Sequence, residues 1–369
     1  MRIKRIALQN FRNIEQLELR PGEGINLIHG ENAQGKTNLI EAVWLFSGMK
    51  SFRGARESEM VRFGQENARL TVEFFSEGRD QSASLTLGGK RGVWVNEIKR
   101  DAMSDLCGVL PAVVFSPVHL SLVKDGPSER RRFLDTAIGQ LLPSYNSALS
   151  YYQKALFQRN ALLRDVQYHS ELLDTLEIWD QNLVRAGAQV MLLRQRYIAR
   201  IGQAAKEVYE GISKGREEMN VSYQCSVEGY DPDWDLPKLR GELEKALRAH
   251  RAEDIRQGVT SVGIHRDDLA ITLGGLSARL YGSQGQQRSC VLALKLAECG
   301  IIEESMEKVP VILLDDVMSE LDHSRRDYLL NRIGERQVFI TCCEEDIFHV
   351  LQSGRSFLIE NGAIKGGEA

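Results

Sequence analysis

The chain has 369 residues, of which 43% are hydrophobic and 27% charged, and its formal net charge is −4. This composition is typical of a globular protein of about two domains, and no apolar run reaches the ~20 residues that a membrane helix requires. The first ten residues carry charges and have no cleavage-like end, so we expect no signal peptide there. The negative charge disfavours a protein that coats nucleic acid over its whole surface, but it allows a local basic patch.

Six cysteines are present and none forms a CxxC pair. This spacing argues against a zinc site. Thiols without a disulfide framework suit a reducing compartment, so we expect a cytoplasmic protein.

The first third of the chain is predicted to consist mainly of strands. Apolar residues predict strands within residues 3–8, 17–19 and 25–28, and a helix should follow from Lys36 to about Phe46. Alternating apolar residues over 68–98 indicate a β-meander, with Gly88-Gly89 as a turn between two of its strands. A further strand over residues 113–115 should end at Pro117.

The middle of the chain changes to a helical pattern from about Ser128. Apolar residues spaced three and four apart from Leu176 to Tyr197 form a heptad seam of about three repeats. We expect a long helix there, with the segment from Ser144 to Leu163 as its antiparallel partner in a short helical arm. An ordinary bundle core is equally compatible with this spacing. Another helix is predicted over residues 238–252, and strands alternate with helices again after Gly258.

A phosphate-binding pattern, G-x-x-x-x-G-K-[ST], follows the third predicted strand. Its glycines let the backbone N–H groups curl around an anion, and the next helix points its positive end at the same place. Lys36 can reach the β- and γ-phosphates of ATP, and the Thr37 hydroxyl can bind Mg²⁺. The predicted ATP-binding residues here are Gly30, Glu31, Asn32, Ala33, Gln34, Gly35, Lys36, Thr37 and Asn38.

Two carboxylates end an apolar strand far downstream, in the Walker B pattern of Val311–Asp316. We expect Asp315 to hold Mg²⁺ and Asp316 to orient or deprotonate the attacking water, with Lys36 as its catalytic companion on the phosphates. An apolar strand capped by acids is weak evidence alone. Together with the phosphate loop, it predicts an ATP-hydrolysing enzyme.

The segment Tyr281–Arg288 opens a helix with small and polar residues, which suits either a phosphate or a simple glycine-rich turn. The order of the parts favours the phosphate. ABC ATPases have the same order of motifs as this chain: the phosphate loop, this segment, Walker B and then Ser319–Asp322. Ser283, Gly285 and Gln286 resemble their signature motif, and Ser319 and Asp322 resemble their D-loop. In that superfamily the signature of one subunit completes the ATP site of another.

The long helical insert between Lys36 and Ser283 resembles the SMC-like branch of these ATPases. More closely, the chain resembles the RecF family of bacterial recombination and repair proteins. The segments that carry this resemblance occur in order along nearly the whole chain: 8–13, 30–38, 114–117, 130–135, 263–268 and 314–322.

The resemblance implies an α/β fold: an ABC-type head, lobe I, with mixed sheets and helices, and an inserted, mostly helical lobe II that carries the short antiparallel arm. The expected boundaries are 1–126 and 258–369 for the head and 127–257 for the insert. By analogy, Arg12 and Asn13 should lie near the base or phosphates of the nucleotide.

The resemblance also implies slow, DNA-stimulated ATP hydrolysis with Mg²⁺ and head-to-head homodimerisation on DNA when ATP is bound. The expected DNA is a junction of single and double strands, with little sequence preference. RecO- and RecR-type partners would help to load recombinase at single-stranded gaps, in DNA replication, DNA damage repair and the SOS response. No membrane is implied.

The sequence departs from the expected patterns at three positions. Ile264 stands where the RecF family usually has proline, Asp316 stands where transporter ATPases use glutamate, and Thr341 occupies the position of their switch histidine. The best candidate for the Q-loop is Phe115–Pro117. The missing histidine and the long insert disfavour the alternative of a transporter-type ATPase subunit. The intact loop and carboxylates disfavour a binding module with an inactive site.

Four basic clusters are candidates for contacting DNA phosphates, although a solvated surface is the favoured interpretation of any single cluster. We expect Arg53 with Arg56, and the run Arg130–Arg132, to be the most informative ones to test. Arg131 and its neighbours could instead be buried. The remaining clusters are Arg62, which extends the first, Lys90 with Arg91, and Lys99 with Arg100.

Overall fold

The computed structural model describes residues 1–166, 168–343 and 354–368. The chain divides into two compact units, which we call the head unit and the inserted unit. The head unit comprises Met1–Ser121, Val208–Arg216 and Gln284–Ala369, and the inserted unit comprises Leu122–Glu207 and Glu217–Ser283. None of the helices in the described part of the chain is both long and apolar enough to cross a membrane.

The chain begins with strands that build most of the head unit. The elements, in order, are β1 (Arg2–Phe11), β2 (Ile14–Leu19), β3 (Ile25–His29), α1 (Lys36–Leu45), α2 (Glu57–Met60), β4 (Asn67–Ser76), β5 (Arg79–Gly88), β6 (Gly92–Val95), β7 (Ile98–Arg100), β8 (Ala112–Phe115) and α3 (Pro117–Lys124). A 3-10 turn, Met103–Leu106, precedes β8.

Helices dominate the inserted unit. Its elements are α4 (Pro127–Leu141), α5 (Pro143–Asp165), α6 (Leu176–Ser213), β9 (Met219–Gln224), α7 (Leu236–Gln257), β10 (Asp268–Leu273), β11 (Leu276–Ser277) and α8 (Ala278–Tyr281). The last turns of α6 belong to the head unit, which the chain then completes with α9 (Gln284–Met306), β12 (Val311–Asp315), α10 (His323–Ile333), β13 (Val338–Cys342), β14 (Arg355–Glu360) and β15 (Ala363–Glu368).

An antiparallel sheet in the head unit has the strand order β2-β1-β4-β5-β6-β7. Leu70, Val72 and Phe74 of β4 are buried, whereas Arg69, just before them, and Glu73, between the last two, are exposed. Since side chains alternate along a strand, one face of this sheet packs on the core and the other faces solvent.

A second sheet in the head unit has the order β15-β14-β3-β13-β12-β8, and all its pairs are parallel except β14 with β15. The run Val311–Asp315 is buried throughout, as expected of a central parallel strand covered on both faces. Asp315 pairs with Thr341, and Thr341 pairs with Ile28. The carboxyl ends of β3, β12 and β13 therefore meet at one edge, which is where open α/β sheets bind ligands.

The predicted helical arm is present in the inserted unit. Tyr145, Tyr151 and Arg159 of α5 contact Arg194, Asn182 and Asp180 of α6, respectively, so the two helices run antiparallel. The seven seam residues from Leu176 to Tyr197 are buried or half-buried.

The inserted unit also contains a small antiparallel sheet, ordered β11-β10-β9, that the helical pattern did not predict. Strand β10 pairs with β9 along its whole length, which draws residues 258–283 into the inserted unit. The unit therefore ends at Ser283, whereas the sequence predicts its end at residue 257. Its N-terminal boundary, Leu122, is close to the predicted residue 127.

Candidate nucleotide-binding site

The loop between β3 and α1 is shaped by residues with positive φ angles. Gly30 has a φ of 141° and Gly35 a φ of 115°, conformations that side chains rarely adopt. A side chain on Gly30 would collide with the carbonyl oxygen of Ile359, and one on Gly35 would lie 3.0 Å from Asn13 Oδ1. Both glycines of the motif are therefore required by the backbone path.

Lys36 begins α1, and its side chain folds back into the loop. It is only 4% exposed, and its Nζ donates hydrogen bonds to the carbonyl oxygens of Gly30, at 2.6 Å, and Glu31, at 2.9 Å. No side chain within the described chain caps the start of α1. The first N–H groups of the helix and a buried ammonium group thus lie at one place, as an anion site requires.

Thr37 and Asp315 bring the two distant motifs into contact. Thr37 Oγ1 donates to Asp315 Oδ1 at 2.8 Å, across 278 residues of sequence. Thr341 Oγ1 donates to the same oxygen at 3.0 Å. Asp315 is 5% exposed, and burial raises the pKa of its carboxyl group. The sequence predicted both Thr37 and Asp315 as Mg²⁺ ligands, but it did not predict a structural use for Thr341.

Asp316 has its backbone in the left-handed region, with a φ of 51°. Its N–H donates to Thr341 Oγ1 at 3.0 Å, and its carbonyl oxygen accepts from Ser319 Oγ at 2.9 Å. Among the described residues, its carboxylate has no hydrogen-bond partner. Burial raises the pKa of this group, and the charge of Lys36 opposes that shift. The backbone is held firmly, while the carboxylate remains available for chemistry.

Asn13 and Asn38 lie together at the side of the loop. Asn13 Nδ2 donates to the carbonyl oxygen of Ala33 at 3.2 Å, and Asn38 Nδ2 donates to Asn13 Oδ1 at 2.7 Å. Arg53 Nη1 donates to Asn38 Oδ1 at 2.9 Å. The structure therefore places Asn13, predicted by family resemblance, directly against the phosphate loop.

Arg12 is fixed by a buried carboxylate that the sequence did not reveal. Its guanidinium donates two hydrogen bonds of 2.9 Å to Glu41, which is fully buried on α1. Bidentate pairs of this kind hold both orientation and charge. Glu41 also accepts a short hydrogen bond from Ser51. The only sequence feature that could have indicated this pair is the position of Glu41 on α1, one helical turn after the phosphate loop.

An open cleft of about 590 Å³ adjoins these residues. Phe63, in its wall, is fully exposed, and the next residue, Gly64, has a φ of 81° that makes the turn. No periodic pattern of apolar residues marks Phe63 in the sequence, because it lies in a loop. The cleft is lined by Arg12, Asn13, Asn38, Arg53, Ser58, Glu59, Val61, Arg62, Phe63, Gly64 and Gln65.

The predicted signature and D-loop segments are tied to each other within the head unit. Arg288 donates to the carbonyl oxygen of Glu320 at 2.6 Å, and Arg325 Nε donates to Ser289 Oγ at 2.8 Å. Asp322 accepts the N–H of Arg325 and so caps α10. Gly285 and Gln286 lie in the first turn of α9. Ser283 is exposed immediately before that helix, at the end of the inserted unit.

Comparison with known proteins agrees with this arrangement. The family model described as RecF/RecN/SMC N terminal domain matches residues 2–364. The DNA replication and repair protein RecF of Acetivibrio thermocellus is 40% identical over 361 residues, covering 97% of this chain and 98% of the relative. The Bacillus subtilis protein of the same name is 38% identical, covering 99% and 100%. The chain belongs to the RecF family.

Solved structures of RecF are similar over the full length. A structure of the recombination mediator protein RecF with ATP, in the RecFOR pathway, superimposes with a TM-score of 0.91 at 34% identity, covering 100% of this chain and 97% of that one. An Smc head domain from Pyrococcus furiosus matches with a TM-score of 0.56 at 16% identity, which shows a shared fold. The RecF-family chain is thus an SMC-like ATPase with an ABC-type head and a mostly helical insert, and the transporter alternative has no support.

One pair of basic residues predicted as DNA contacts has an internal role in this RecF-family chain. Arg130 is buried and forms a bidentate pair with Asp268 of β10, at 2.7 and 2.8 Å. Arg131 donates to the carbonyl oxygen of Asp267 at 2.8 Å. These arginines fasten α4 to the small sheet. The alternative of burial is correct for Arg130, whereas Arg131 is half-buried. Arg132 is half-buried.

Proposed function

We propose that this chain binds ATP with Mg²⁺ at the loop Gly30–Thr37 and hydrolyses it slowly. The observation that carries this proposal is the 2.8 Å hydrogen bond between Thr37 and Asp315, since it joins the phosphate loop to the Walker B carboxylate. The similarity to RecF solved with ATP supports the same ligand.

The oxygen groups of Thr37 and Asp315 fit Mg²⁺, which prefers carboxylate and hydroxyl oxygens with phosphate and water. A buried carboxylate whose pKa is raised by burial gains from a nearby cation, because the cation restores the stability of its charged form. Magnesium would supply charge neutralisation on the phosphates. Lys36 would hold the β- and γ-phosphates, and the uncapped start of α1 would add its N–H groups.

Asp316 is the proposed base or orienting group for the attacking water. Its backbone hydrogen bonds position the carboxylate without engaging it. Its raised pKa makes it a better proton acceptor than an ordinary aspartate. The shorter side chain, compared with glutamate, requires the water to lie closer.

The open cleft beside the loop is the proposed place for the adenosine part of ATP. Phe63 offers an exposed ring against which a base can stack, and Arg12 and Arg53 border the cleft. The Arg12–Glu41 pair would keep this wall rigid. Asn13 would brace the loop at Ala33 and Gly35, next to the phosphates.

We infer that ATP joins two copies of the chain. Ser283, Gly285 and Gln286 of one copy would meet the γ-phosphate bound by the other, and Ser319 and Asp322 would lie along the contact. The exposure of Ser283 and the fastening of α9 to the D-loop support this inference. Hydrolysis would then release the dimer.

DNA repair is the setting proposed for this ATP cycle. The dimer would bind DNA at single- and double-strand junctions with little sequence preference, since phosphate contacts carry no base information. The naming of its relatives as replication and repair proteins, and the RecFOR pathway of the solved RecF, support DNA and RecO- and RecR-type proteins as partners in recombinase loading. Six free cysteines fit a cytoplasmic location.

The test of the proposal is the affinity for fluorescent ATP of the Lys36→Met variant. This change removes the ammonium group but keeps the loop backbone, so binding should be lost, as should dimerisation and hydrolysis. Lys50→Met, which makes the same replacement at an exposed lysine outside the loop, is the matched control and should bind as wild type does. Wild-type affinity in Lys36→Met would show that the nucleotide binds elsewhere.

A further inference from the structure

The solvent-facing side of the antiparallel sheet carries its charges unevenly. Cross-strand pairing places Thr71, Ser84, Trp94 and Lys99 in one row across β4 to β7. The adjacent row contains Arg69, Thr86 and Gly92. Paired residues project from the same face of a sheet, so these side chains form one continuous surface.

Positive charge on this face is neutralised at one end and not at the other. Arg5 donates to Glu18 and to Glu73, both at 2.8 Å. Arg69 and Lys99, in contrast, are exposed and have no ion-pair partner among the described residues. Lys90, in the adjoining turn between β5 and β6, is exposed and likewise unpaired within the described chain. We call Arg69, Lys90, Trp94 and Lys99 the basic face.

Trp94 provides a flat ring in the middle of these cations. The indole lies over Gly92, where any side chain would collide with its six-membered ring. The ring is only half-buried, so it is held against the sheet while part of it remains exposed to solvent. Glycine at position 92 is thus what allows the ring to lie flat.

We propose that the basic face binds single-stranded DNA, with a base stacked on Trp94 and phosphates paired with Arg69, Lys90 and Lys99. A flat aromatic ring bordered by unpaired cations is the combination that binds single strands, because every base has a face to stack and every linkage carries a charge. A duplex keeps its bases inside and would use the cations alone. The inference rests on the proposed function and identifies the surface that receives the DNA.

The test uses the full-length protein with a slowly hydrolysed ATP analogue, a fluorescent 20-nucleotide oligo-dT and a 20-base-pair duplex, each titrated over salt. The double variant Arg69→Ala/Lys99→Ala should bind oligo-dT more weakly, with a salt slope shallower by about 1.4, since each lost single-strand contact removes about 0.7. Trp94→Ala should weaken oligo-dT binding about 5- to 150-fold, the range for losing one stacked base, and should leave duplex affinity unchanged. Trp94→Phe should restore most of the oligo-dT affinity that Trp94→Ala loses.

Lys4→Ala is the matched charge control, because Lys4 is an exposed lysine of the same sheet that is paired with Asp80. It should retain wild-type affinity. Dimerisation with ATP is measured in every variant and should not change. If the wild-type protein does not bind DNA, the proposed function is wrong. If wild type binds DNA and both Arg69→Ala/Lys99→Ala and Trp94→Ala bind it with undiminished affinity, this inference alone is wrong. Equal losses of Trp94→Ala on duplex and oligo-dT would overturn the stacking role.

Discussion

Replacing Asp316 with asparagine should separate ATP binding from hydrolysis. Both hydrogen bonds at this position use the main chain, and asparagine tolerates its left-handed φ of 51° as well as aspartate does. The loop and the Thr37–Asp315 contact should therefore persist. The substitution removes one negative charge facing the γ-phosphate, so ATP should bind at least as tightly as in wild type.

The rate should fall by about 10²- to 10⁴-fold, the range for removing a general base. This corresponds to about 3–5 kcal/mol of transition-state stabilisation, at about 1.4 kcal/mol per tenfold. Single-turnover hydrolysis of radiolabelled ATP measures the chemical step directly, and equilibrium titration gives affinity. Thermal unfolding of the nucleotide-free variant should match or slightly exceed wild type, because burial disfavours the aspartate charge. Normal hydrolysis in Asp316→Asn would assign the catalytic role to another residue.

Three further outcomes are expected. Asp315→Asn should raise the thermal stability of the nucleotide-free protein at neutral pH and remove its stabilisation by Mg²⁺ with ATP. In wild type, folding raises the pKa of Asp315, so the stability contributed by this group falls as pH rises through the folded-state pKa. Half-saturation of wild type with Mg²⁺ should also need more Mg²⁺ as pH falls. Arg159→Ala should cost about 3–5 kcal/mol of unfolding free energy in chemical denaturation, since it removes the ion-pair partner of the buried Asp254 and leaves Asp180 with only the more distant Arg251, whereas the exposed Arg164→Ala on the same helix should cost little. Phe63→Ala should weaken ATP binding several-fold but leave binding of inorganic triphosphate unchanged, and an equal loss for both ligands would place adenosine outside the cleft.

The phosphate loop and the parallel strands were predictable because their signals are local. A glycine that must adopt a φ of 141° and a strand buried on both faces each leave a direct pattern in the sequence, as at Gly30 and Val311–Asp315. The long helix beginning at Leu176 was predictable for the same reason, since its spacing reports burial on one side.

Contacts made by single residues from distant segments could not be predicted in this way. In the sequence Glu41 is an ordinary helix residue, and only the structure shows that it binds Arg12. Thr341 stands in the sequence at the position of the switch histidine, and only the structure shows that its hydroxyl donates to Asp315. The strand β10 was missed as part of the insert because its partner, β9, lies 44 residues away in sequence. The burial of Arg130 likewise depends on Asp268, which no local pattern connects to it.

We propose that the Ser283 segment of one copy completes the ATP-binding site of another copy. Sedimentation velocity of Ser283→Arg, compared with wild type in ATP and Mg²⁺, tests it most directly. The variant should bind ATP, because its own phosphate loop is untouched, and should remain a monomer under conditions in which wild type sediments as a dimer. A Ser283→Arg variant that forms the ATP-dependent dimer as wild type does would contradict the account.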